Sequence, residues 1–258
     1  NKTALLASVA AWMADLNENV PSYEAVRAQM KAYLDRVGLN APLDDLMAEF
    51  LTARIFVKKP EDRLSFRYRA VLEYFIAMQM GIDPAFKAWV MEEQRYLQFV
   101  NEIQYYAGRL RNDADLVEEI GRRFELIVEQ LEAEDRPFDL DGIANITLPR
   151  KDADLSDTLL EQHLDRPLTE EERDAELEGD LPQDVEKRQE VFRPNIEDPG
   201  QKLLVALFLY SGVVKNMELI DDARKRHHLT LLWRGWSIFW LLSLMVVPEI
   251  ARQRRFRI

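Results

Sequence analysis

A change of hydrophobic period within residues 63–80 (RLSFRYRAVLEYFIAMQM) constrains the fold of this chain more than any other feature. Leu64, Phe66 and Tyr68 alternate with polar residues, which is typical of a half-buried β-strand. From Val71 onward the apolar residues recur at the spacing of an α-helix. The segment therefore predicts a strand that runs directly into a buried helix.

The residues before this strand complete a small folding unit. Residues 55–57 (IFV) are β-branched and aromatic, and the polar turn KKPED separates them from the strand, so a β-hairpin is predicted. Three amphipathic helices precede the hairpin, over about residues 3–16, 22–38 and 43–53. Three helices followed by a hairpin predict a winged-helix-like domain over residues 1–80.

The rest of the chain is predicted to be helical, with one exception. Only nine glycines occur in 258 residues, and long periodic segments favour helix over sheet. We expect a helical domain over 81–148, an acidic linker or surface excursion over 149–199, and a C-terminal helical segment over 200–258 that packs on the helical domain. The predicted fold class is mainly α: a winged-helix-like unit with one β-hairpin, followed by a helical bundle or array.

The negative charge is concentrated in one stretch. The formal net charge is −12, and residues 150–198 contain 17 acidic and 7 basic side chains, a net of −10. The remainder is close to neutral, so a generic nucleic-acid-binding surface is not supported. The acidic stretch is interpreted as a solvated linker, with an acidic mimic that docks on a basic partner as the alternative.

An apolar run over residues 229–247 raises the question of a membrane. A spanning helix needs about 20 apolar residues, but Arg234 and Gly235 interrupt the run, and Pro248 is expected to end it. The uninterrupted part, 236–247, is too short to span. We therefore favour a buried core or an oligomer contact, and membrane association through 229–247 remains an alternative.

The sequence offers no recognisable catalytic, metal or cofactor site. The phosphate-binding patterns G-x-x-x-x-G-K-[ST] and G-x-G-x-x-G, the zinc motif H-E-x-x-H, the nucleophile motif G-x-S-x-G and cysteine are all missing. His227 and His228 are adjacent, so on a helix their side chains diverge by about 100° and do not share one metal. They are interpreted as a satisfied or solvent-exposed pair, with no catalytic residue, metal ligand or cofactor predicted within this chain.

Residues 66–77 (FRYRAVLEYFIA) resemble the end of the winged-helix segment of STAND NTPases, the class that includes NACHT and NLR-type proteins. The family pattern there is roughly F-x-H-x-x-F-x-E-[FY]-[FL]-x-A. Tyr68 stands where many members have His, and Val71 stands where they have Phe. The matching residues are Phe66, Glu73, Tyr74, Phe75 and Ala77.

Two later segments resemble the same bacterial branch of this family. Residues 95–120 contain Asn101 and Glu102 in the N/H-E-I-like centre of a helix that precedes a second helix. Residues 207–236 contain a G-x-[IV]-[LV]-[KR]-N segment, in which Gly212, Lys215 and Asn216 match. The three segments occur in the family's order and cover most of the chain outside 132–199.

The resemblance implies a regulatory part of a larger machine. An upstream nucleotide-binding domain would bind ATP and Mg²⁺, and the winged helix would hold the inactive form closed until a phage or cellular trigger protein permits oligomerisation and effector activation. Many bacterial members act in anti-phage defence, and we expect a cytoplasmic protein. The chain begins with Asn, so we expect a piece of something longer.

The same resemblance assigns candidate interdomain residues, with Phe66, Tyr74 and Phe75 as packing anchors and Glu73 as a polar latch. The arginines next to them are expected to meet a neighbouring domain. The full regulatory set is Phe66, Arg67, Tyr68, Arg69, Glu73, Tyr74 and Phe75. A winged-helix nucleic-acid-binding module with a helical dimerisation domain stays open as an alternative, because basic and aromatic residues interleave here.

Overall fold

The computed structural model describes residues 2–133 and 199–255, with side chains as far as residue 244. The predictions for the acidic stretch and for most of residues 132–148 lie outside the described residues. The helices are α1 (Lys2–Leu16), α2 (Tyr23–Arg36), α3 (Leu43–Thr52), α4 (Arg69–Ile82), α5 (Pro84–Val90), α6 (Val100–Leu110), α7 (Ala114–Ala133), α8 (Pro199–Asn216) and α9 (Asp222–Arg255), with a 3₁₀ turn at Tyr96–Gln98. The strands are β1 (Phe56–Lys59) and β2 (Arg63–Phe66).

The described residues are mainly helical with one antiparallel hairpin, which confirms the predicted mainly-α class with a single β-hairpin. In the hairpin, Phe56 pairs with Phe66 and Lys59 pairs with Arg63. Ser22 caps α2 by accepting a hydrogen bond from the Ala25 amide, as its position before the helix predicts.

The first core forms where α1 packs against α4. Leu5, Val9 and Met13 of α1 are fully buried, and Ile76 of α4 is buried with them. The hairpin is joined to this core by its aromatic residues, since the ring centroid of Phe66 lies 5.6 Å from that of Phe75 in α4. The Phe66–Phe75 contact thus holds the hairpin against α4.

The predicted strand is too long at its C-terminal end. β2 ends at Phe66 and α4 begins at Arg69, so Arg67 and Tyr68 connect the two elements and do not continue the alternation. Tyr68 is the N-cap residue of α4 and has an extended backbone. The alternating pattern overestimates the length of the strand because Tyr68 has an extended backbone as the N-cap residue of α4. It nevertheless lies beyond Phe66, the last residue of β2 that pairs with β1.

A second core forms where α8 packs on α6 and α7, and α9 packs on α8 and α7. α7 turns one apolar face to this core, since Leu116, Ile120, Phe124, Ile127 and Leu131 are all buried. α4 also packs on α6, so the first core is continuous with the second.

Pro248 ends the apolar run but not the helix, because α9 continues to Arg255. Proline removes one backbone donor and crowds the carbonyl four residues earlier, which weakens a helix without always stopping it. Among the described residues, no helix combines the length and the apolar character that crossing a bilayer requires.

Candidate functional site

A buried carboxylate, Glu73, lies at the contact between α4 and α6. Its side chain is 5% exposed and accepts hydrogen bonds from Arg69 Nε at 2.8 Å and from Asn101 Nδ2 at 3.0 Å. Arg69 stands one helical turn before Glu73, so the two side chains share a face of α4. Because Asn101 belongs to α6, this network couples the start of α4 to the start of α6.

A second carboxyl group, Glu102, lies beside this network in the first turn of α6. It is 2% exposed. Burial and the negative charge of Glu73 together raise the pKa of Glu102 to about 8, although Arg69 opposes the shift. At neutral pH the Glu102 carboxyl is therefore mostly protonated, which lets two carboxyl groups occupy one buried junction.

An open cleft of about 380 Å³ lies over this junction, between α4, α6 and α8. Tyr74, Asn101, Tyr105 and Arg109 line one part of it, and Asn216 of α8 lines another. Tyr74 is 43% exposed and Tyr105 is 39% exposed, so two aromatic rings remain accessible at the cleft. The cleft is a surface that a neighbouring domain or a ligand can reach.

The contact between α6 and α8 supplies the other wall of the cleft. Asn216 Nδ2 donates to the Gln104 carbonyl at 3.1 Å, and Gln104 Nε2 donates to the Phe208 carbonyl at 3.1 Å. Gly212 faces the Gln104 side chain so closely that a Cβ there would overlap it. Gly212 therefore permits the close approach of α8 to Gln104, and Asn216 stabilises it with a hydrogen bond.

The structure brings together residues from all three segments of the sequence analysis. Glu73 and Tyr74 come from the first segment, Asn101 and Glu102 from the second, and Asn216 from the third, and all lie at or beneath the cleft. Lys215 is exposed at the end of α8, beside this group in sequence.

The three expected aromatic anchors differ in burial within this chain. Phe66 and Phe75 are buried, with ring centroids 5.6 Å apart. Tyr74 is exposed at the cleft and therefore does not anchor the core. Consecutive residues of a helix point about 100° apart, and this rotation turns the Tyr74 side chain away from Phe75 and into the cleft.

The arginines of this region are occupied within the chain. Arg63 forms an ion pair with Glu18 and donates to the Val20 carbonyl, and Arg69 pairs with Glu73. The Arg67 guanidinium lies over the Tyr68 ring, 4.8 Å from its centroid. Ring and carboxylate contacts of this kind compete with phosphate binding, so they do not favour the nucleic-acid alternative.

A second buried polar cluster, which the sequence does not predict, lies where α7, α8 and α9 meet. Tyr210 Oη lies 2.6 Å from His228 Nδ1, and Glu118 lies 3.6 Å from His228 Nε2. His228 is 1% exposed, whereas His227 is exposed. Burial lowers the pKa of His228, and Glu118 opposes that shift. Tyr210 lies within an apolar run, so no pattern in the sequence signals this pair.

Comparison with known proteins gives one match. Residues 19–76 match the family model Novel STAND NTPase 4, so this part of the chain is a STAND NTPase-related region. No curated protein and no solved structure matches the chain. The matched region runs from the residues before α2 to Ile76 in α4, and it therefore includes Glu73 and the hairpin.

Proposed function

We propose that this chain is the regulatory and sensor-side part of a STAND-type NTPase, which controls ATP-dependent oligomerisation and the activation of an effector in bacterial anti-phage defence. The match over residues 19–76 supports the relation to STAND NTPases. In this proposal residues 1–80 act as a winged helix against an upstream nucleotide-binding domain that binds ATP and Mg²⁺. The trigger is a phage or cellular protein, and the whole machine works in the cytoplasm.

The observation that carries the proposal is the polar junction centred on Glu73. It lies at the end of the matched region and connects that region, through Asn101, to the helices that follow. A switch needs an interface with two arrangements whose balance a partner can change. Hydrogen bonds at the edge of an open cleft suit this purpose, because a neighbouring domain can reach them.

The electrostatics of the junction also suit a switch. Burying two carboxyl groups side by side is costly unless one is protonated and the other is hydrogen-bonded. Glu102 meets the first condition through its raised pKa, and Glu73 meets the second through Arg69 and Asn101. A partner that removes either hydrogen bond raises the free energy of the closed arrangement and therefore favours opening.

A first test concerns the gene. Translation upstream of Asn1 is expected to reveal a Walker A loop, G-x-x-x-x-G-K-[ST], on a strand-to-helix turn. An upstream coding sequence without such a loop overturns the assignment to a STAND-type NTPase.

A second test concerns the switch. In the protein with its nucleotide-binding domain, Asn101→Asp would place a third carboxyl group against Glu73 and is expected to allow ATP-dependent oligomers without the trigger. Asn112→Asp makes the same chemical change at an exposed site and serves as the matched control. Size-exclusion chromatography with light scattering, with and without ATP, measures the outcome. Equal oligomer fractions in the two variants contradict the proposed role of the junction.

A further inference from the structure

Helix α9 is attached to the second core by one face only. Leu231 and Leu232 are buried, and Gly235 lies so close to the Phe124 ring that a Cβ there would overlap it. A different face carries large apolar side chains in solvent. These are Leu229, Trp233, Trp240 and Leu244, which we name the α9 stripe, with exposures of 51%, 77%, 62% and 39%.

The four residues of the α9 stripe form one continuous surface. With 100° per residue, their directions around the helix fall within about 60° of each other. The stripe is about 22 Å long at 1.5 Å per residue. Phe208 of α8 is also exposed and lies beside α9, because its ring centroid is 6.3 Å from that of Trp236. Two exposed tryptophans on one helix face indicate an interaction site.

The order of residues along the stripe indicates what covers it. The sequence reads Leu, Trp, Trp, Leu, and the intervals between these positions are the same from either end. A twofold axis between residues 236 and 237 would therefore place Leu229 against Leu244 of a second copy and Trp233 against Trp240. A twofold interface must be complementary to itself, and this stripe meets that condition when the two helices run antiparallel.

The charges next to the stripe do not favour a lipid surface. Interfacial membrane helices combine an apolar face with basic residues that attract anionic lipids. In α9 the three arginines before residue 245 have acidic partners: Arg224 with Asp221, Arg226 with Asp222, and Arg234 with Glu132. Pairing with protein carboxylates reduces their attraction for lipid headgroups. Lys225 and the α9 arginines after residue 250 are further basic residues, and the vesicle experiment below tests whether they direct the stripe to lipid.

The size of the stripe suits a weak dimer. A tryptophan side chain buries about 150–250 Å² in full, and because Trp233 and Trp240 are 77% and 62% exposed, two per chain in two chains contribute roughly 400–700 Å². The leucines and Phe208 add to this area, and a specific interface needs about 1,000 Å² in total. The stripe therefore approaches the lower limit for specific association, and we expect a dissociation constant in the micromolar range.

We propose that the α9 stripe is a homodimerisation surface on which two copies of this chain pair through antiparallel α9 helices. The pairing does not depend on the proposed NTPase role, since it requires neither nucleotide nor an upstream domain. In this dimer the second cores of the two chains lie on opposite sides of the α9 pair. The exposed apolar residues of the α9 stripe are then buried against the second copy.

Sedimentation velocity on the 258-residue chain tests the association without nucleotide. We expect the mass to rise from 30.2 kDa towards twice that value as the concentration increases to about 100 µM. Trp233→Glu is expected to keep the chain monomeric, and because Trp233 is 77% exposed the far-ultraviolet circular dichroism should not change. Leu219→Glu, at a 69% exposed leucine outside α9, is the control and should still dimerise. A wild-type chain that stays monomeric overturns the proposal.

The absence of cysteine from the sequence allows a direct test of the antiparallel register. Leu229→Cys and Leu244→Cys chains that carry tags of different mass are mixed and oxidised. The proposed pairing yields the mixed disulfide between the two variants, and little of either symmetric product. Symmetric disulfides from each variant alone would indicate parallel helices and overturn the register. Monomer that pellets with phosphatidylserine vesicles in place of dimer would assign the stripe to lipid and overturn the proposal.

Discussion

Glu73 on α4 accepts a hydrogen bond from the side-chain amide of Asn101 on α6, 28 residues further along the chain, at 3.0 Å. This bond connects the STAND NTPase-related region to the helices that follow it. It also satisfies part of a buried carboxylate, which would otherwise be costly to keep in the protein interior. The consequences of this bond can be measured in the isolated chain.

Asn101→Asp is expected to lower the free energy of unfolding by about 1–3 kcal/mol, because it removes a donor from Glu73 and adds a like charge beside it. Urea denaturation at neutral pH measures the change. Asn112→Asp is the control, since Asn112 is exposed, as Asn101 is, but lies in the loop before α7 and outside the Glu73 junction. A loss of stability as large in the control would contradict the importance of the Glu73–Asn101 bond.

Glu102 is expected to make the chain less stable as the pH rises. Its folded-state pKa of about 8 lies above the ordinary value of 4.5, so the folded state binds the proton more tightly than the unfolded state does. The stabilisation is fully present below about pH 4.5 and is lost as the pH rises through about 8.

Urea midpoints of the wild type and Glu102→Gln, compared across this pH range, measure the effect. The free energy of unfolding of Glu102→Gln, taken relative to that of the wild type, should increase by more than about 1 kcal/mol as the pH rises. A difference independent of pH would show that the Glu102 carboxyl titrates normally in the folded state.

The sequence predicts most of the fold because the helices and the hairpin have local causes. Gly38 adopts a positive φ of +67° after α2, and Asp83 caps α5 before Pro84, both as their residue types suggest. Where the pattern failed, a single residue decided the outcome. Tyr68 prolongs the alternation as a helix N-cap.

The candidate site is less accessible to sequence reasoning, because its parts come from three helices. Resemblance pointed to Glu73, Asn101 and Asn216 separately, but only the packing of α4, α6 and α8 shows that they surround one cleft. Gln104 and Arg109 also line that cleft, and neither belongs to a recognisable pattern. The Tyr210–His228 pair depends entirely on how α8 meets α9.

His228 is expected to act in the opposite direction to Glu102 and to destabilise the chain in acid. Burial lowers its pKa below the ordinary 6.5, Glu118 partly opposes this shift, and His227 and Arg224 add to it. The folded state therefore keeps the ring neutral while the unfolded state takes up a proton. The stability contributed by the neutral ring is present above about pH 6.5 and is lost as the pH falls through the folded-state pKa.

Replacement of the ring by His228→Gln, which can still accept a hydrogen bond from Tyr210, removes this titration. Urea midpoints at about pH 5.5 and 7.5 should then differ less in the variant than in the wild type. His227→Gln is the control, because His227 is exposed. An unchanged pH dependence in His228→Gln would show that His228 does not titrate below its ordinary pKa.

Gly235→Ala is expected to destabilise the attachment of α9 by about 1–3 kcal/mol. The added methyl group would overlap the buried Phe124 ring and lie 3.2 Å from Leu207 Cδ2, so α9 or the ring must move. Gly81→Ala is the matched control, because its Cβ would meet Arg109 Nη1 at an ordinary 3.6 Å and α4 would gain helix propensity. Thermal unfolding should therefore show a lower midpoint for Gly235→Ala and an equal or higher one for Gly81→Ala. A Gly235→Ala chain as stable as the wild type would mean that α9 does not pack closely on α7 through this glycine.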